Sequence, residues 1–161
     1  MSPQSHVALT LPAAAAIHLV FRSPMATLCF VVGGILVDID HLFDHFILFR
    51  KTGGIRGMIS WCEQHAWERI VILIHAWELL ALFLFLALWQ KHILLLSFVL
   101  GWAFHLALDQ YWNPRACPLH PLFYFLVFRA WKGFTREGLI RKQPGRTCAQ
   151  DEPVNEPDPK A

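Results

Sequence analysis

The sequence predicts an all-α, integral membrane helical bundle with four transmembrane helices and one short interfacial or re-entrant segment. Three observations predict it. Hydrophobic residues make up 55% of the 161-residue chain and charged residues 16%, far from the balance of a soluble domain. The run "IVILIHAWELLALFLFLALW", residues 70–89, carries one formal charge and has no polar face. Twenty helical residues rise about 30 Å, the thickness of a bilayer's hydrocarbon core. Lysine and arginine, finally, gather on one side of the apolar segments.

The first segment runs from about His6 to Phe21. Its "AAAA" has the look of a signal-peptide cleavage region, but no Lys or Arg precedes the apolar run, so it reads as a span. The second runs from Met25 to about Phe49 and holds "DIDHLFDH", residues 38–45, in its second half. Gly33-Gly34 within it would let a neighbouring helix approach closely. The third is 70–89, and the fourth runs from His92 to about Trp112, closed by Asn113-Pro114, since proline disfavours helical geometry in the residue before it. "PLFYFLVFRAW", 121–131, is too short to span and reads as interfacial or re-entrant. Residues 1–140 therefore form one membrane-embedded domain. Residues 141–161 form a polar, proline-containing tail with little to bury, expected to be disordered.

With four spans, the loop between the second and third shares a side with both termini. That side carries Arg50, Lys51, Arg56, Arg69, Arg115, Arg129, Lys132, Arg136, Arg141 and Lys142, whereas the opposite side has Arg22 and Lys91. The positive-inside rule places the basic side and both termini in the cytoplasm, and the expected location is an inner (cytoplasmic) membrane. Trp61, Trp67, Trp89, Trp112 and Trp131 fall near segment ends, as interfacial anchors do. Cys29, Cys62, Cys117 and Cys148 show no CxxC spacing; Cys29 sits in a span and the others on the cytoplasmic side, so reduced thiols are expected.

Depth now sorts the polar groups. Measured from the external end of each segment, Asp38, His75, His105 and His6 all lie about 20–22 Å in. His18 and His92 lie at the other end. One layer, nearer the cytoplasm, thus collects histidines and carboxylates from four helices. His75 and Glu78 are three apart and His105 and Asp109 four apart, so each pair shares a helix face. Asp38, His41 and His45 also share one. Asp40 and Asp44 point nearly opposite, so either the helix breaks at "DID" or Asp40 serves another role.

An ionisable group at a helix centre costs about 2.5–3.5 kcal/mol on insertion scales, so such a set needs something to neutralise it. Imidazole and carboxylate donors together suit Zn²⁺, Mn²⁺ or Fe²⁺, and their number points to two or more divalent ions, zinc foremost. The candidate ligands are His6, Asp38, Asp40, His41, His45, His75, Glu78, His105 and Asp109. Two competing explanations are helix–helix hydrogen bonding and a haem held by His75 and His105; convergence at one depth opposes the first and the carboxylates oppose the second. The copy of "HAWE" at 65–68 precedes the apolar run and reads as an interfacial helix start.

"LVDIDHLFDH", followed by "HAWE" and "GWAFHLALDQYWNP", resembles the family of predicted membrane-bound, metal-dependent hydrolases grouped with the zinc-dependent phospholipase C and P1-type nuclease fold. The resemblance implies an early His, a D-x-D-H motif, a His in the third helix and a late H-x-x-x-D motif. Here these fall on His6, Asp38, Asp40, His41, His75, His105 and Asp109. "HAWE" departs from the family's common "THS", which makes Glu78 an additional ligand candidate.

The expectation is a hydrolase of a phosphoester, phospholipid-like or another anionic small molecule, that uses metal-activated water at the cytoplasmic side of the bilayer. Glu78 and Asp40 are the candidate catalytic bases. The alternative is a non-enzymatic protein that handles metal or protons, although "LALFLFLALW" and "ILLLSFVL" offer no polar route outward. The lipid bilayer is the expected partner, and no nucleic acid is.

Overall fold

The computed structural model of the chain describes residues 3–50, 54–63, 67–141 and 148. Lys51, His65, Lys142 and the tail beyond Arg141, apart from Cys148, lie outside the described residues, as do the side chains of Arg56, Trp61 and Cys62. The expected tail disorder falls almost wholly outside them. Every regular element among the described residues is a helix.

Helix α1 spans Pro3–Phe21 and α2 Pro24–Ile35. Ser23 caps α2 by accepting from the Ala26 N–H, and Pro24, which needs no N–H partner, opens its first turn. Beyond α2 the chain keeps helical geometry but changes its winding. It tightens into a 3₁₀ turn at Leu36–Asp38, relaxes through α3 (Ile39–Leu42) and widens into a π-helical turn at Phe43–Leu48. Then come α4 (Gly54–Glu63), α5 (Trp77–Trp89), α6 (Ile93–Ala116), α7 (Leu126–Trp131) and α8 (Arg136–Leu139).

Among the described residues, three helical stretches are long and apolar enough to cross a membrane: Gln4–Phe21, Pro24–Leu48 and Ile93–Ala116. The third predicted segment is different. It is helical only over the 13 residues of α5, a rise of about 20 Å, and residues 70–76 before it are not helical. Asn113-Pro114 does not stop α6 at Trp112: the helix carries Pro114 in its final turn and runs on to Ala116, where the Cys117 N–H donates to the Asn113 carbonyl. The 121–131 piece forms a tight turn and α7, which buries Phe128 and Arg129 and leaves Val127 and Trp131 exposed.

The closest packing is between α2 and α6. A Cβ at Gly33 would overlap the Phe98 carbonyl, and one at Gly101 the Phe30 carbonyl, so the two backbones touch as only small residues permit. Ser97 Oγ donates to the Ala26 carbonyl across the same seam at 2.6 Å. Below it lies an apolar core of Trp67, Ile70, Ile72, Leu106, Leu119, Phe123 and Leu139. Trp67 is therefore a core residue, whereas Trp89 and Trp131 keep the exposure of interfacial anchors. Cys117 and Cys148 are bonded to each other with a Cα–Cα separation of 4.7 Å, where reduced thiols were expected. Sequence separation hid the pair: 31 residues apart, they meet only because the chain returns to the end of α6.

Candidate metal centre

Helix α6 supplies two donors one turn apart, His105 and Asp109, both buried. His105 Nδ1 donates to the Gly34 carbonyl at 2.9 Å, which leaves Nε2 with its lone pair. His75 comes from the non-helical stretch before α5. Its Nδ1 donates to the Asp40 carboxylate at 3.0 Å, again leaving Nε2 as the acceptor. The two Nε2 atoms face each other 3.2 Å apart. Asp38 Oδ1 lies 3.5 Å from His75 Nε2 and 3.4 Å from His105 Nε2. Asp109 Oδ2 lies 3.4 Å and 3.5 Å from the same two atoms.

These five separations are edges of one tetrahedron. Donors about 2.0–2.2 Å from a tetrahedral ion stand about 3.3–3.6 Å from one another. In the neutral tautomers that the Gly34 and Asp40 hydrogen bonds favour, all four atoms are acceptors, and a cation among them would offset their mutual repulsion. Asp38, His75, His105 and Asp109 could therefore hold a metal ion. A second group, Asp40, His41 and His75, shares His75 with the first. His6 closes the back of the site, with Nε2 3.0 Å from Asp109 Oδ1 and its ring stacked on that of His105 at 3.9 Å.

The unwound stretch explains itself through Asp40 and Asp44. Asp44 Oδ2 accepts from the N–H groups of Val71 (2.6 Å) and Ile72 (3.0 Å), and Asp40 Oδ2 from those of Ile74 (3.0 Å) and His75 (3.3 Å). On the other side, the buried Arg129 guanidinium donates to the carbonyls of Ile72, His75 and Phe123 at 2.8–2.9 Å. Burial pushes this guanidinium down to about 10, and it stays charged at neutral pH. Non-helical backbone at this depth needs protein partners, and these three side chains provide them. They also hold Ile72 at φ +34°, a left-handed conformation that is unfavourable for a β-branched residue by about 1–3 kcal/mol. So "DID" changes its winding without ending the helix, and Asp40 takes the other role: it binds backbone and orients His75.

The structure does not bring every candidate together. His75 precedes α5, so it shares no helix face with Glu78. The Glu78 carboxylate instead accepts from the N–H groups of Leu126 (2.9 Å) and Val127 (3.1 Å), capping α7. His41 stands at the edge of the cluster, Nε2 3.8 Å from Asp38 Oδ1. His45 is buried with its ring edge-on to Phe46. His18 pairs with Thr27 and His92 caps α6, both away from the cluster as expected. Arg129 escaped the sequence reading, where it was one basic residue among many; its apolar flanks in "FLVFRAW" were the only hint of burial.

No protein-family model, curated protein or solved structure matches this chain. Three of the four donors, Asp38, His75 and Asp109, line a cavity of about 800 Å³ together with His41. Asp38 is the one member of the four that is not fully buried, so the cluster communicates with the cavity through it.

Proposed function

We propose that this protein is a membrane-embedded, metal-dependent hydrolase that acts on a phosphoester at the cytoplasmic side of an inner membrane. The observation that carries the reading is the set of four facing acceptor atoms, 3.2–3.5 Å apart, beside a cavity. Asp38, His75, His105 and Asp109 would hold a zinc, manganese or iron ion, which when bound would supply Lewis-acid polarisation of a phosphoryl oxygen and activation of water. The resemblance of "DIDH" and "HLALD" to the hydrolase motifs supports the same reading.

The chain's own residues do the rest. Asp40 and the Gly34 carbonyl hold both imidazoles in the tautomer that presents Nε2. Asp40 and Glu78 spend carboxylate oxygens on backbone N–H groups, so neither suits a general base. His41 lines the cavity with its side chain 17% exposed, and its Nε2 is the proton acceptor we assign. A second reading, a purely structural metal site, draws on the fact that four protein donors already complete a tetrahedron.

Elemental analysis and kinetics of purified protein separate the two. At least one first-row divalent ion per chain is expected, lost in His105→Ala and Asp109→Ala but kept in His18→Ala and His92→Ala. Chelation should abolish cleavage of a phosphodiester reporter. His41→Ala should retain the metal and lower the rate on the order of 10²–10⁴-fold. Tight metal binding without cleavage of any phosphoester would leave the structural reading standing, and equal metal loss from all four variants would remove the centre itself.

A further inference from the structure

We infer that the cavity beside the centre holds a single-chain anionic amphiphile that enters sideways from the bilayer. The inference rests on the proposed function for the anionic end alone; the apolar part stands on the cavity's own walls. Beside the donors the lining is mainly apolar, with Leu9, Met58, Trp67, Ile72, Leu119 and Phe123 against the polar Ser5, Asn113, Arg115 and Tyr124. The apolar majority suits an alkyl or isoprenyl chain better than a free sugar phosphate or nucleotide.

The mouth decides where the ligand comes from. Every exposed residue of the lining, Ala8, Leu9, Trp112, Arg115 and Ala116, belongs to α1 or to the end of α6. Both helices are long and apolar enough to cross a membrane. Leu9 is 40% and Trp112 45% exposed, so the rim itself is apolar and faces lipid. Arg115 ends this rim, its guanidinium stacked 3.6 Å over the Tyr111 ring at the terminus of the span. A cation at that depth meets anionic head groups.

The volume decides how much of a lipid enters. At about 800 Å³ the cavity falls within the roughly 300–1,000 Å³ of small-molecule sites. One chain and a small anionic head fill that space, whereas a two-chain phospholipid exceeds it. With the head against Asp38 and His41, the tail lies back along Leu9 towards the mouth.

Calorimetric titration of protein in nanodiscs with ethyl and tetradecyl phosphonate, neither of which can be hydrolysed, tests this. Ala8→Trp narrows the mouth at an exposed position, and Leu9→Trp is a second variant should the first fail to fold. Wild type should bind tetradecyl phosphonate on the order of tenfold more tightly than either variant, a difference equal to about two buried methylenes. Ethyl phosphonate should bind all three equally, and a two-chain phosphatidate should not displace the tetradecyl ligand. Bilayer partition of the ligand cancels in the ratio of wild type to variant. An identical ratio for the two phosphonates, or displacement by phosphatidate, overturns the inference. Failure of the hydrolase reading looks different: the ratio stands but no phosphoester is cleaved.

Discussion

Arg129 satisfies three carbonyls with one buried guanidinium, two of them on the stretch that carries His75. Arg129→Met keeps the volume and removes the donors. It should lower stability by about 3 kcal/mol or more, because charge-assisted bonds are lost and carbonyls are left buried without partners. Thermal unfolding in detergent measures the loss, and metal content should fall with it. Arg129→Lys should recover little, since an ammonium cannot reproduce the planar fork. An Arg129→Met protein with wild-type stability and metal would show that the stretch holds itself. At this scale most donor identities were legible in the sequence. Asp38 and His105 were placed at one depth by residue number along their helices, and Asp109 by its one-turn spacing from His105. His75 joins them although the helix assumed in counting its depth does not reach it. Partners were not legible. Glu78 looked like a neighbour of His75 only on the assumption that a helix joins them, and the N–H groups it caps lie 48 and 49 residues further on.

Among the elements, the seam between α2 and α6 sets the geometry of the centre, because the Gly34–His105 hydrogen bond crosses it. Gly101→Leu should push the helices apart, destabilise by about 1–3 kcal/mol as overpacking does, and weaken metal retention. Ala81→Leu, at an exposed position on α5, is the control outside the seam. Unchanged metal content in Gly101→Leu would mean that the seam does not position His105. The three long spans were legible because length and apolarity are all that crossing requires. The unwound start of the third predicted segment was not. An apolar run has the same composition whether its N–H groups bond along the run or to the carboxylates of Asp40 and Asp44, some thirty residues earlier.

For the molecule as a whole, basic residues and cysteines pull the orientation in opposite directions. The basic side chains favour the cytoplasm for the side that bears the centre, and the imbalance against Arg22 and Lys91 survives the burial of Arg129. The Cys117–Cys148 bond, on that same side, belongs in an oxidising compartment. The orientation we propose predicts that a reporter fused after Ala161 is cytoplasmic and one inserted between Phe21 and Met25 is external. It also predicts that the two thiols alkylate in growing cells and pair once purified protein is oxidised. An external C-terminal reporter with thiols blocked in cells would reverse the orientation and place the centre outside.

The unwound stretch before α5 implies an order of assembly. When residues 70–89 leave the ribosome, Asp40 and Asp44 are already made, but Arg129 is not. A continuous helix over the run bonds its own backbone throughout, as entry into lipid requires. Only when α7 arrives with Arg129 do the carbonyls of Ile72 and His75 gain partners that let the base of that helix open. Loading of the ion is then a late event, gated by the C-terminal third of the chain. In Arg129→Met, isotope-edited infrared spectra of residues 70–76 should report the helix that the finished protein has given up.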